Sequence, residues 1–197
     1  TALCALIALL DGFDTQAIAY VAPVIAEDWQ MSMASFGPIF GAGLAGLTVG
    51  AFVLSPAADR FGRKSVILVS MAIFGVFSLI TAWAGTMNEL LLYRFLTGLG
   101  LGGAMPNIIA LTSEYAPARL RATLVTVMFC GFPLGSTIGG VLSAQMIAAF
   151  GWHSVFILGG IAPLVVLVLL VVMLPESVRY LVARGAPAEK IDRIMRR

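Results

Sequence analysis

The sequence is poor in charged residues. Only 11% of its 197 residues are Asp, Glu, Lys or Arg, whereas a soluble domain has about 25%. So few charges cannot cover the surface of a soluble domain, and 60% of the residues are hydrophobic. A formal net charge of +2 gives no reason to expect a nucleic-acid partner. The composition therefore indicates an integral membrane protein, whose surface is covered by the lipid bilayer.

Cysteine and histidine are scarce as well. Cys4 and Cys130 are the two cysteines, and His153 is the one histidine. This excludes a disulfide framework and a cluster of metal ligands, so we expect no metal. The sequence also shows no nucleophile–base pair and no phosphate-binding loop, so we expect no enzyme. Both cysteines lie in apolar runs, which predicts that they are small buried side chains.

Long apolar runs dominate what remains. A helix that spans a bilayer needs about 20 apolar residues. Six stretches meet this need, at about 1–25, 36–57, 65–84, 90–111, 122–149 and 155–174. The predicted fold is therefore all-α, a bundle of six transmembrane helices over residues 1–174. Residues 175–197 are polar and are predicted to be a cytoplasmic tail with a short amphipathic helix.

The basic residues occur in alternate connections between these spans. Eleven of the 12 lie on one side of the predicted membrane. They are Arg60, Arg63, Lys64, Arg119, Arg121, Arg179, Arg184, Lys190, Arg193, Arg196 and Arg197. Because basic loops stay in the cytoplasm, this pattern predicts that both chain ends are cytoplasmic.

Two acidic residues interrupt the first span. Asp11 and Asp14 are three residues apart and share a helix face. An aspartate at mid-span costs about 2.5–3.5 kcal/mol on insertion scales, so the pair requires a reason. The two carboxyls could snorkel from a helix end or pair with a neighbour. Alternatively they face an aqueous cavity, where one of them binds a proton, because burial and a nearby like charge favour the neutral carboxyl.

Arg94 is the remaining basic residue and lies inside the fourth span. Arginine stays charged at any working pH, so it needs a carboxylate partner or an anionic ligand. It could snorkel to the interface beside Glu89. The preferred interpretations make it the counter-charge to Asp11 or Asp14, or a bidentate clamp for a substrate carboxylate.

Weaker candidates lie in the fourth and fifth spans. Asn107 follows Pro106 and either bridges helices or binds substrate. Phe129 and Phe132 are three residues apart and either pack or clamp an aromatic ring. Pro106, Pro133 and Pro163 lie inside the fourth, fifth and sixth spans and should kink or locally unwind them.

Glycines spaced four apart recur in three spans, which predicts close helix packing or sliding helices. They are Gly46 and Gly50, Gly98 and Gly102, and Gly131, Gly135 and Gly139.

Several of these strings resemble the signatures of the major facilitator superfamily. The loop at 55–64 resembles its signature between helices two and three, with Ser55 in place of the usual glycine. The sequence also resembles three further motifs of the superfamily. Arg94 and the glycines after it resemble the motif of the fourth helix, the glycines of the fifth span resemble that of the fifth helix, and residues 175–179 resemble the ending of the sixth helix. The resemblance implies a cytoplasmic gate that clasps a second half of the protein. Its residues would be Asp59, Arg60, Gly62, Arg63, Lys64, Glu114, Arg119, Arg121, Glu176 and Arg179. The place of Glu114 near the cytoplasmic end of the fourth span predicts that it pairs with Arg119 or Arg121.

The strings at 11–15, 96–107 and 113–117 also resemble the aromatic acid:proton symporters, which are bacterial inner-membrane importers of benzoate-type acids. This resemblance implies twelve helices in two halves, each half built from two inverted three-helix repeats. The chain would be the N-terminal half, with the C-terminal half as its missing partner. The implied substrate is a small aromatic carboxylate, with a proton as the coupling ion and no other cofactor. A facilitator for a sugar or another organic anion, and a sensor that binds without transporting, are the alternatives.

Overall fold

The computed structural model describes residues 1–184 and Pro187. Over these residues the chain is helical, with one short 3₁₀ turn at Met33–Phe36. The α-helices are α1 (Ala2–Asp28), α2 (Gly37–Phe61), α3 (Arg63–Thr81), α4 (Met87–Tyr115), α5 (Arg121–Phe129), α6 (Gly131–Phe150), α7 (His153–Met173) and α8 (Val178–Ala183). Six spans are long and apolar enough to cross a membrane, with α5 and α6 together forming the fifth. The prediction of six transmembrane helices is confirmed. The part of the predicted tail that carries Lys190, Arg193, Arg196 and Arg197 lies outside the described residues.

Two of the tight connections depend on glycine. Gly62 joins α2 directly to α3 with φ +93°, and Gly151 joins α6 to α7 with φ +76°. Side chains rarely tolerate this backbone conformation, so glycine allows α2 to join α3 through one residue and α6 to join α7 through two. The fourth span ends at Tyr115 rather than near Leu111, because Thr112 continues the buried face of the helix.

The fifth span is broken at Cys130, between α5 and α6. Pro133 has no N–H to donate to the carbonyl of Phe129, and the helix loses its regular hydrogen bond at that point. The expectation that Cys130 is buried is wrong, whereas Cys4 is buried as predicted. Gly131 presents its backbone to Ala5 of α1, which turns the neighbouring Cys130 away from the bundle.

The helices pack with their backbones in contact. A Cβ on Gly46 or Gly50 of α2 would collide with a carbonyl oxygen of α4. A Cβ on Gly98 or Gly102 of α4 would likewise collide with a carbonyl of α2. A Cβ on Gly135 of α6 would likewise collide with the carbonyl oxygen of Leu9 in α1. The glycine stripes therefore serve close packing, in which each bare surface receives the backbone of its neighbour.

The main helix pairs are α1 with α6 and α2 with α4. An inverted repeat relates the first three spans to the last three by a rotation. That rotation places the first span on the fourth and the second on the fifth, so the pair α1–α6 corresponds to the pair α4–α2. Two apolar clusters fill the bundle: one contains Leu10 and Leu101, and the other contains Phe13 and Leu90. Along their helices, Asp11 of α1 and Arg94 of α4 fall between the two clusters.

Candidate functional site

A buried ion pair joins α1 to α4. Arg94 donates from Nη2 to Asp14 Oδ2 at 2.7 Å and from Nη1 to Asp14 Oδ1 at 3.1 Å. Its Nη2 also lies 3.3 Å from the backbone carbonyl oxygen of Asp14. Asp14 is 0% exposed and Arg94 is 4% exposed. Of the two aspartates that the sequence offered as partners, Arg94 therefore contacts Asp14, and neither side chain snorkels to an interface.

A third side chain contacts this pair from α3. Ser78 is fully buried, and its hydroxyl donates to Asp14 Oδ1 at 3.0 Å. The sequence reasoning missed Ser78, because a single serine in an apolar span carries no motif. Its i+4 neighbour Ala82 is apolar, and only the rotation of α3 directs Ser78 towards α1.

Asp11 has a different environment from Asp14. It is 2% exposed, and its Oδ1 accepts a hydrogen bond from Thr15 Oγ1 at 3.1 Å. Within the described part of the chain, no basic group lies within ion-pair distance of Asp11. The first span therefore holds one paired carboxyl and one carboxyl without a cation.

A pocket of about 240 Å³ lies between α1, α2 and α4. Its polar lining consists of Arg94, Thr15 and Gln16. Its apolar lining includes Ile18, Ala19, Ile39, Phe40, Gly43, Leu44, Leu47 and Leu101. Neither aspartate lines the pocket, so that its one charged wall residue is Arg94. Such a pocket can hold a small anion that carries an apolar body.

The other predicted substrate residues lie away from this pocket. Asn107 is buried and donates from Nδ2 to the carbonyl of Gly103 at 2.8 Å, a contact within its own helix. Phe129 is 41% exposed, and Phe132 packs its backbone against Gly12. The break at Cys130 separates the two phenylalanines, and the structure brings neither of them to Arg94.

Glu114 binds partners that the sequence did not predict. It accepts a charged hydrogen bond from Arg63, the first residue of α3, and another from Ser177 Oγ at 2.7 Å. The pairing of Glu114 with Arg119 or Arg121 is wrong. The chain turns away after α4, which leaves both arginines exposed while the start of α3 lies beside Glu114.

Glu176 occupies the same end of the bundle. Its carboxylate accepts from the backbone N–H of Lys64 at 3.0 Å and lies against Gly62, where a Cβ would strike it. The hydroxyl of Tyr115 donates to the backbone carbonyl of Glu176 at 2.8 Å. These contacts tie the ends of α2, α4 and α7 together within this bundle.

Three further predicted gate residues have few internal contacts. Asp59 and Arg179 are exposed, and their side chains make no hydrogen bond or ion pair within residues 1–184. Arg60 is exposed, and its backbone carbonyl accepts from Arg184 Nη2 at 2.9 Å. The predicted gate therefore divides into an internal network and an outward-facing set.

Comparisons with known proteins show the family of the chain. The family model of the Major Facilitator Superfamily matches residues 4–193. The 4-hydroxybenzoate transporter PcaK of Acinetobacter baylyi is 50% identical over 98% of this chain and 42% of its own length. The gallate transporter of Pseudomonas putida is 49% identical over 96% of this chain and 42% of its own. The 3-(3-hydroxy-phenyl)propionate transporter of Escherichia coli is 45% identical over 89% of this chain and 43% of its own length.

Solved structures share the fold. The proton:xylose symporter XylE bound to 6-bromo-6-deoxy-D-glucose has a TM-score of 0.87 and 23% identity over 99% of this chain and 48% of its own. A bacterial homologue of the human lysosomal transporter Spinster has a TM-score of 0.80 and 21% identity, and the match covers 89% of this chain and 42% of the homologue. The chain thus spans less than half the length of these curated relatives. The resemblance that the motifs indicated is confirmed, and the chain belongs to the Major Facilitator Superfamily.

Proposed function

We propose that this bundle is half of a secondary transporter that imports a small aromatic carboxylate together with a proton. The observation that carries the proposal is the layer of three buried ionisable side chains, Asp11, Asp14 and Arg94, beside a pocket. Charges at bilayer depth are costly and mark pathways for ions and substrates. Relatives named as transporters of 4-hydroxybenzoate, gallate and hydroxyphenylpropionate support an aromatic acid as the substrate.

In this proposal Arg94 receives the substrate carboxylate. The ion pair with Asp14 uses one N–H of Nη1 and the Nη2 group, so other N–H groups of the guanidinium remain for an anion. The apolar walls from Ile39, Phe40 and Leu44 suit an aromatic ring. Gln16 adds an amide that can hydrogen-bond a ring hydroxyl.

Asp11 receives the proton. It is buried and has no cationic partner in the described chain, and carboxyl groups at bilayer depth mark proton pathways. Asp14 serves as the counter-charge that keeps Arg94 stable at bilayer depth when no substrate is present. The proton is the proposed coupling ion, and no other cofactor is proposed.

The proposed location is the bacterial inner membrane, with both chain ends in the cytoplasm. The basic residues of the α2–α3 and α4–α5 connections lie at the end of the bundle that carries the Glu114 network. The missing partner is a second six-helix bundle, so that the two bundles rock around a central site. Asp59 and Arg179, exposed at this end, are available for a gate contact with it.

Uptake by the complete transporter tests the proposal. Cells that express it should accumulate labelled 4-hydroxybenzoate when the outside is acidic, and a protonophore should abolish the accumulation. Arg94→Gln is the matched variant that removes the proposed anion contact and should reduce uptake to background. Accumulation of glucose instead would favour the sugar facilitator, and binding without flux would favour a sensor.

A further inference from the structure

We propose that Ser78 of α3 is a positioning residue that holds the carboxylate of Asp14 in place and thereby orients Arg94 towards the pocket. This inference rests on the proposed function and adds a third helix to the site. Sequence motifs do not indicate Ser78, and the assignment comes from the contacts of one buried hydroxyl.

The carboxylate of Asp14 accepts three side-chain hydrogen bonds. Oδ1 accepts from Ser78 Oγ at 3.0 Å and from Arg94 Nη1 at 3.1 Å, while Oδ2 accepts from Arg94 Nη2 at 2.7 Å. A buried polar network whose members are all hydrogen-bonded holds its groups in one arrangement. Ser78 therefore fixes the rotation of the carboxylate plane of Asp14 against Arg94.

The hydrogen bond of Ser78 is enclosed by α7. A Cβ on Gly159 would lie 3.1 Å from Ser78 Oγ and 3.8 Å from Asp14 Oδ1, so the glycine backbone covers the contact closely. The ring of Phe156 lies 5.9 Å from the guanidinium carbon of Arg94. Ser78 and Asp14 do not line the pocket, whereas Arg94 does. A substrate anion thus reaches the pair from the side of Arg94.

Few other ionisable groups lie near enough to Asp14 to contact its carboxylate. Asp11 lies one turn before Asp14 on α1, and Arg94 is the charged residue of α4 at this depth. The helix α6 carries no ionisable residue, and α7 carries only His153 at its start. Ser78 is therefore the polar group that α3 presents to Asp14, since the basic residues of α3 stand at its opposite end.

A second serine on α3 provides the matched control. Ser70 is as fully buried as Ser78, on the same face of the helix, but its hydroxyl has no hydrogen-bond partner in the described chain. Replacing either serine by alanine removes one oxygen from the buried face of α3. Only the replacement of Ser78 removes a donor from Asp14.

The test measures two properties of the complete transporter. One is the Michaelis constant and maximal rate of 4-hydroxybenzoate uptake at one fixed pH, and the other is the melting temperature of the purified protein. In Ser78→Ala the carboxylate of Asp14 loses a donor, so Arg94 is oriented less well for the anion. The Michaelis constant should rise about tenfold, the effect of one hydrogen bond to a charged group, while the maximal rate stays within about twofold of the wild type.

Ser70→Ala should keep the wild-type Michaelis constant. Ser78→Cys keeps the volume and a weak donor, and it should give an intermediate Michaelis constant even if Ser78→Ala does not fold. A wild-type Michaelis constant in both Ser78 variants, or an equal rise in Ser70→Ala, would overturn the assignment. A wild-type protein that does not take up the acid would refute the proposed function, whereas the melting temperatures would still test Ser78, because Ser78→Ala should melt below Ser70→Ala.

Discussion

Asp14 and Arg94 are both buried and oppositely charged, so removing either one leaves the other without compensation in an apolar environment. Asp14→Asn and Arg94→Gln should each lower the free energy of unfolding by about 3–5 kcal/mol, because an unpaired buried charge is costly. Chemical or thermal unfolding of the detergent-purified transporter measures this loss.

The double variant Asp14→Asn/Arg94→Gln is the control for this pair. It removes both charges and should recover most of the lost stability, while uptake stays at background. Single variants as stable as the wild type would show that the two charges do not depend on each other.

Asp11 should respond differently to the same kind of change. Asp11→Asn preserves size and can still accept the hydrogen bond from Thr15, so its stability should stay within about 1 kcal/mol of the wild type. Accumulation driven by an acidic exterior should disappear, because the site can no longer bind a proton. Uptake that still follows the proton gradient in this variant would remove Asp11 from the coupling step.

At the scale of helices, the glycine stripes set how closely α2 and α4 approach. Gly46→Ala would place a Cβ against the carbonyl oxygen of Phe95, and it should cost about 1–3 kcal/mol through overpacking. Gly41→Ala on the same helix meets nothing within 4 Å and should be neutral or slightly stabilising. Melting temperatures of the two variants compare the effects, and equal values would contradict the packing argument.

The sequence was sufficient to predict the transmembrane helices, but it did not predict how each helix is rotated about its own axis. Apolar length predicted the six spans, and Pro133 predicted the distortion of the fifth. The same expectation for Pro106 and Pro163 gave no break, because α4 and α7 continue through these prolines. The choice between Asp11 and Asp14 as the partner of Arg94 depends on how α1 is turned against α4, which periodicity does not specify. The contact of Glu114 with Arg63 joins helices far apart in sequence, so the nearer arginines were the wrong choice.

At the scale of the whole molecule, the distribution of basic residues predicts the orientation in the membrane. In a background of Cys4→Ala/Cys130→Ser, single cysteines at exposed Asn88 and Ala118 report on opposite ends of the bundle. A membrane-impermeant maleimide should label Asn88→Cys in intact spheroplasts and Ala118→Cys only after permeabilisation. Labelling in the reverse order would invert the proposed topology.

The backbone contacts between α1 and α6 and between α2 and α4 also limit how this bundle can move. Closely packed interiors switch between discrete arrangements and do not deform smoothly. Helices whose carbonyls rest on glycine cannot slide by a turn without driving a larger side chain into the neighbouring backbone. The six spans should therefore move as a single rigid body. Access to Arg94 from one side of the membrane or the other would then change by pivoting this whole body against its partner.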